Sequence, residues 1–220
     1  MSIAEKLQTI AENEQRVYDK GYTDGYENGA LPLTQIKKLN SVFDGSTFPE
    51  NYDLVLHLKK PVDMQYCFKN SNVRSVTLTA VQAGDVMITF AFRDCINLQV
   101  FDMKDYKATI TDITYAFYNS SKLKSIYGAL DISRCPSTTA AFSGCTLLED
   151  IDFVPNTIKV NISFSPCRYL NEKSIQSIID GLADLTGQTT QTITFHATVG
   201  AKLTDEQKAT ITAKNWTLAY

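Results

Sequence analysis

The sequence predicts an α/β fold: a solenoid of parallel strands and mostly extended coils, with an N-terminal helix and an α/β C-terminal cap. Three observations carry this. The pattern Ala-Phe-x-x-Cys-x-x-Leu occurs at residues 91–98 and 141–148 and, with Ser120 replacing cysteine, at 116–123, so Phe92, Phe117 and Phe142 stand 25 residues apart. A fixed period of this length marks stacked units of one structural type. Segments of period-2 alternation recur between these corners, as half-buried strands require, and helical periodicity appears only near the two ends of the chain.

The N-terminal arm, 1–19, places Ile3, Leu7, Ile10 and Val17 on one helical stripe, and Ser2 can cap its start. Ile3, Ile10 and Val17 form a seven-residue repeat, but the complementary heptad places hold Lys6, Asn13 and Lys20, so a long coiled coil does not follow. A homo-oligomer seam, a docking helix and a helix packed on the end of the solenoid all fit this stripe. Residues 20–40 read as a joint, because Gly21, Gly25 and Gly29 favour turns and Pro32 supports a boundary.

The repeat region, 41–170, extends the phase outward to Phe43, Phe68 and Phe164, giving about five to six coils. The residue before phenylalanine is small in most copies (Cys67, Ala91, Ala116, Ala141, Ser163), and Cys95, Ser120, Cys145 and Cys167 follow it three places on. Small, weakly hydrogen-bonding groups at one recurrent place predict a tight buried corner with reduced thiols inside it. Cys145 and Cys167 fall on adjacent rungs, close enough for a disulfide under oxidising conditions. After each corner come Val73-x-x-Val76-x-Leu78, Leu98-x-x-Phe101-x-Met103 and Leu148-x-x-Ile151-x-Phe153, whereas the copy at Leu123-x-x-Ile126 ends in Gly128. These segments predict one parallel strand per coil. The stretches 86–90, 110–115 and 158–163 are β-branched and Thr-rich, and read as extended on the returning side.

The period ends after Leu170, and residues 171–220 read as the cap. Asn171 can open a helix from Glu172 to about Leu185, stopped by Gly187; residues 191–196 return to strand alternation. Thr204 and Gln207 form a capping box for a helix reaching about Ala213, and Trp216 begins a closing strand. Asp180, Asp184, Asp205 and Glu206 are explained by helix surfaces and helix N-termini, and His196 by a polar rim.

The motif Ala-Phe-x-x-Cys-x-x-Leu-x-x-Ile at 91–101, 116–126 and 141–151 resembles the BspA-like class of leucine-rich repeats, found in bacterial and protist surface proteins and in phage-borne genes. The family pattern adds Ile-Pro after the last strand position, which only Val154-Pro155 approximates here. The N-terminal segment is similar to the start of proteins encoded by phages and prophages of Gram-positive gut bacteria, often among tail or baseplate genes. The resemblance implies a leucine-rich-repeat binding or adhesion module with a protein or glycan partner.

Composition excludes several other classes. The net charge of −3, from 21 basic and 24 acidic residues, gives no general attraction to nucleic acid or anionic lipid. No apolar run is long enough for membrane insertion. The N-terminus lacks the apolar run of a secretory signal, which predicts cytoplasmic synthesis, with localisation beyond that open. No phosphate-binding glycine loop or His/Cys/Asp cluster is present, so no catalytic residue, metal site or cofactor is expected and the chain reads as a non-enzyme.

On the strand face the outward positions form two columns: His57, Thr77, Asp102, Tyr127 and Asp152, and beside them Arg74, Gln99, Lys124 and Glu149. Stacked strands make such columns an adjustable recognition surface. Ordinary solvated strand residues account for any single one, and Tyr127 is the strongest, since exposed aromatics anchor interfaces. The alternative is a structural protein assembled through the N-terminal helix, with the repeats as spacer or shell.

Overall fold

The computed structural model describes Glu5 and residues 30–33, 38–50 and 52–220. The arm and its seam residues Ile3, Leu7, Ile10 and Val17 lie outside the described residues. Six parallel strands form one sheet in sequence order: β1 (Ala30–Leu33), β2 (Asp53–Leu58), β3 (Ser75–Met87), β4 (Val100–Asp112), β5 (Ser125–Leu130) and β6 (Asp150–Phe153). A second parallel sheet joins β7 (Ile162–Phe164), β8 (Gln191–Phe195) and β9 (Trp216–Ala219). Helices α1 (Glu172–Gly181) and α3 (Asp205–Ala213) link those three strands, and the four-residue α2 (Ala197–Gly200) follows β8.

The sheet starts earlier than the sequence reading placed it. Strand β1 lies inside the presumed joint, 20–40, with Pro32 in register with His57. A proline is tolerated there because an edge strand does not need every ladder donor. Four residues around a proline carry too little alternation to announce a strand.

The core is a file of phenylalanines. Phe43, Phe68, Phe92, Phe117, Phe142, Phe164 and Phe195 are all buried. Neighbouring rings lie 5.0 Å apart for Phe43–Phe68, 5.1 Å for Phe68–Phe92, 5.4 Å for Phe92–Phe117 and 5.9 Å for Phe117–Phe142. The file continues through Phe142–Phe164 at 5.0 Å to Phe164–Phe195 at 6.2 Å, so it runs one member into the cap. Such pairs add about 0.5–1.5 kcal/mol each beyond area burial.

The corner chemistry explains the repeat motif. The Phe N–H donates to the carbonyl of the small residue in the next repeat: Phe43 to Cys67 at 2.7 Å, Phe68 to Ala91 at 2.8 Å, Phe92 to Ala116 at 2.8 Å and Phe117 to Ala141 at 2.9 Å. Three residues on, the side chain reaches back to the preceding repeat. Cys95 Sγ donates to Phe68 O at 2.8 Å, Ser120 Oγ to Phe92 O at 2.7 Å and Cys145 Sγ to Phe117 O at 3.1 Å. Cysteine and serine therefore alternate there as equivalent small donors. All five cysteines are free and buried, Cys145 and Cys167 included.

Two departures from alternation have local causes. In β5 the inward place after Ile126 is taken by Leu130, two residues later than expected, because the register with β6 shifts between them. Gly128 sits in that shift at φ +91°, where a Cβ would stand 2.7 Å from the carbonyl carbon of Met103. On the returning side β3 and β4 stay extended to Met87 and Asp112 but then turn, short of the expected 90 and 115, where Phe90 and Tyr115 take positive φ; Ile158 makes only an isolated bridge with Leu182, and residues 162–164 join the second sheet.

Helix α1 replaces the next strand. Asn171 caps it, its side chain accepting from Ser174 N at 2.9 Å. Ser174 Oγ accepts the Ile151 N–H and Ser177 Oγ the Phe153 N–H, both at 2.9 Å, so the exposed amides of edge strand β6 are satisfied by hydroxyls. The helix ends at Gly181 and not near Leu185, because Leu182 turns extended to bridge Ile158. The Thr204–Gln207 capping box of α3 is present.

Candidate functional site

Each strand of the large sheet turns alternate side chains outward. On β3 Val76, Leu78 and Ala80 are buried, while Ser75, Thr77 and Thr79 are half-buried on the opposite face. Register then fixes which outward residues meet. Thr77 pairs with Asp102 and Asp102 with Tyr127. Val55, not His57, stands beside Thr77; His57 pairs with Thr79, and its Nδ1 lies 2.8 Å from Thr79 Oγ1. The column as read from sequence was one outward place off at β2, because alternation has the same period wherever a strand is taken to begin. Asp152 stands off Tyr127, since the β5 shift removes that pairing.

The backbones of the second column's residues are joined by bonds in series. Gln99 N donates to Arg74 O at 2.7 Å, Lys124 N to Gln99 O at 2.9 Å and Glu149 N to Lys124 O at 2.9 Å. Between the columns runs a row, polar except at Val100, that alternation alone left unassigned. Ser75 Oγ donates to Asp53 Oδ1 at 2.6 Å, and Arg74 pairs with the same carboxylate. Ser125 Oγ donates to Asp150 Oδ2 at 3.0 Å, and Asn171 Nδ2 to Asp150 Oδ1 at 2.5 Å. Lys173 pairs with Asp152 at 2.9 Å, and this carboxylate's hydrogen bond and charge raise the lysine pKa.

Tyr127 carries the Lys104 ammonium 4.5 Å from its ring centroid, within cation–π range. The pair joins an aromatic surface to a cation beside Asp102 and Asp105, a mixed patch suited to polar recognition and not to bulk apolar docking.

A second row of aromatics went unread. At the place two residues before the core phenylalanine stand Tyr66, Phe90 and Tyr115, stacked at 5.0 Å between the first pair and 5.0 Å between the second. Their φ values are +56°, +55° and +54°, a left-handed backbone that bulky residues rarely adopt. Arg93 lies 5.6 Å from the Phe90 centroid and 5.4 Å from that of Tyr118. The sequence held a signal that these corners use left-handed backbone: two places after the first five core phenylalanines stand Gly45, Asn70, Asp94, Asn119 and Gly144, the residue types that accept positive φ.

The buried thiols are not a reactive centre. Burial pushes Cys95, Cys135 and Cys167 up to about 12 and raises Cys67 and Cys145 as well, so they are protonated at neutral pH. Among the described residues no group of three or more His, Cys, Asp or Glu is arranged to hold a metal ion, and no helix is long and apolar enough to cross a membrane.

Parallel strands in sequence order, a repeating Phe corner and few helices define an α/β repeat protein of the leucine-rich type. The profile of the BspA type leucine rich repeat region matches residues 64–186 in six copies, more than half of the chain, and the protein belongs to that family. Repeats of this family are interaction and adhesion modules. Neither the curated proteins nor the solved structures give a match.

Proposed function

We propose that the repeats form a solenoid whose outward strand face recognises a protein partner, with Tyr127 as anchor and the columns Thr77–Asp102 and Arg74–Gln99–Lys124–Glu149 around it. The observation that carries this reading is the register Thr77–Asp102–Tyr127, which lines up side chains of three repeats on one face. Stacked repeats make extended binding surfaces of this kind, in which each unit contributes one or two contacts. A glycan partner on the same face is the variant of this reading. The similarity of the N-terminal segment to phage proteins supports display on a tail or a cell surface.

A photo-crosslinking residue at 127 tests it against one at 187, in the turn before β8, using the full chain and an extract of bacterial surface proteins. The expected result is a discrete adduct from position 127, competed by the unmodified chain and not by its Tyr127→Ala variant. Equal adducts from both positions would refute it.

The second reading is assembly through the arm, favoured by the seven-residue spacing of Ile3, Ile10 and Val17. Light scattering on the full chain and on a chain starting at Ala30, which keeps β1, decides it. Loss of an oligomer on truncation supports the arm as an assembly device, and a monomer in both removes it.

A further inference from the structure

The row of backbone bonds between successive corners is interrupted once. It runs through Tyr115 N to Thr139 O at 2.9 Å, Phe117 N to Ala141 O at 2.9 Å and Asn119 N to Ser143 O at 2.8 Å. No bond of this series joins residues 140–144 to β7, although the Phe142 and Phe164 rings beneath still stack at 5.0 Å. A cleft of about 360 Å³ opens there, between the corner at 136–140 and the starts of β7 and β8. That volume lies at the lower end of the range for small-ligand sites, about 300–1,000 Å³.

Its walls have a definite chemistry. No charged residue lines it. Asn161 and Gln191 lock each other by backbone donors: Asn161 N donates to Gln191 Oε1 at 2.9 Å, and Thr192 N to Asn161 Oδ1 at 2.6 Å. Because both partners are N–H groups, each amide oxygen is held on the backbone, and both carboxamide NH2 groups remain as donors without a partner among the described residues. Thr192 and Thr194 line the same cleft and carry hydroxyls, which both donate and accept.

The aromatic row ends at this cleft. Ala140 follows Tyr66, Phe90 and Tyr115 in the same backbone place, at φ +52°, and presents a methyl where the earlier repeats present a ring. Ala140 also lines the cleft. The stack therefore stops one rung short of an uncharged, donor-rich cavity.

We propose that this cleft binds a neutral saccharide unit, its hydroxyls taken by Asn161, Gln191, Thr192 and Thr194 and its apolar ring face turned to the Ala140 methyl. A pyranose has an apolar C–H face that suits the Ala140, Val160 and Ile162 side of the lining and a rim of hydroxyls that matches carboxamides, and it brings no charge to an uncharged wall. The site shares no residue with the strand columns, so it stands or falls independently of the protein-binding face.

The test is a titration of the 15N-labelled full chain with neutral tetrasaccharides of glucose, N-acetylglucosamine, mannose and galactose, following the side-chain NH2 signals of Asn161 and Gln191. At least one is expected to shift both signals, with a Kd of about 1 mM or tighter. Gln191→Glu keeps the acceptor for Asn161 N–H but removes the donors, and is expected to weaken binding at least about tenfold. Ala140→Tyr places a fourth ring on a backbone that already carries three, and is expected to keep the circular dichroism melting midpoint while abolishing the shifts. Should Ala140→Tyr lower the midpoint, Gln191→Glu alone decides. Absence of shifts with all four sugars at about 10 mM overturns the proposal, as does binding indifferent to Gln191→Glu. A Ser/Thr-rich peptide that moves both signals where the sugars do not would also overturn it, and would make the cleft a peptide groove.

Discussion

Replacing Phe92 by alanine tests whether the file of rings is the spine of this protein. Phe92 is fully buried, stacks on Phe68 at 5.1 Å and Phe117 at 5.4 Å, and meets Phe101 at 4.7 Å in a tilted contact. Truncating a buried Phe costs about 3–5 kcal/mol by itself. Here a ring on either side loses its partner and neither can slide to fill the gap, since each is pinned by its own corner N–H bond, so the upper part of that range is expected. At about 2–4 °C per kcal/mol for a chain of this size, the melting midpoint falls by roughly 10–20 °C. Urea titration followed by circular dichroism supplies the free energy. A double-mutant cycle with leucine substitutions then separates stacking from volume. Phe92 and Phe117 are expected to couple by about 0.5–1.5 kcal/mol, and Phe92 and Phe195, which do not touch, to add independently. A cost below about 1.5 kcal/mol, or equal coupling in both cycles, would refute a nearest-neighbour spine.

Four further outcomes follow from the same geometry. The five buried thiols are expected to resist Ellman's reagent in the native protein and to react in full after denaturation, a simple absorbance assay. Because burial raises their folded pKa above the unfolded value near 8.5, the unfolded chain loses these protons first; stability therefore falls from about pH 8.5 upward, by at most about 1.4 kcal/mol per pH unit for each thiol, as urea titrations across that range would register. Gly128→Ala sets a Cβ against the Met103 backbone at a positive φ and is expected to cost more than about 2 kcal/mol in urea, whereas Gly45→Ala, with open space around it, bears only the φ penalty of about 1 kcal/mol. Ser174→Ala leaves the Ile151 amide of β6 unpaired; a loss of about 1–3 kcal/mol and faster hydrogen exchange at that amide are expected, and unchanged exchange would count against the hydroxyl cap.

What was legible in the sequence was whatever the repeat enforces in every copy. The core Phe positions, the small residue before them and the Cys/Ser donor after them are each demanded by a buried corner, so each leaves a residue-type signature. Strand existence was legible for the same reason, since Leu54, Leu56, Val76, Leu78, Phe101 and Met103 alternate with half-buried or exposed neighbours. Exact register was not. His57 and Val55 are both outward, and only hydrogen-bonded pairing tells which of them stands beside Thr77. The second aromatic row escaped because Tyr66, Phe90 and Tyr115 differ in type and occupy a backbone conformation in which such residues are not expected. The seventh core ring escaped because Phe195 follows Phe164 by 31 residues, with α1 between them, outside the period that found the others.

The hydroxyl cap of Ser174 and Ser177 has a genetic consequence. It satisfies main-chain amides, which any strand offers, while Asn171 and Lys173 pair with Asp150 and Asp152, so the terminal helix stays matched to the one repeat that carries those carboxylates. A crossover between two corner codons, such as those of Phe92 and Phe117, would remove or duplicate one whole unit and leave the reading frame, the corner donors and the cap junction intact. The gene can thus change the length of its product in steps of one repeat, and selection can adjust the extent of the strand face without rebuilding its end.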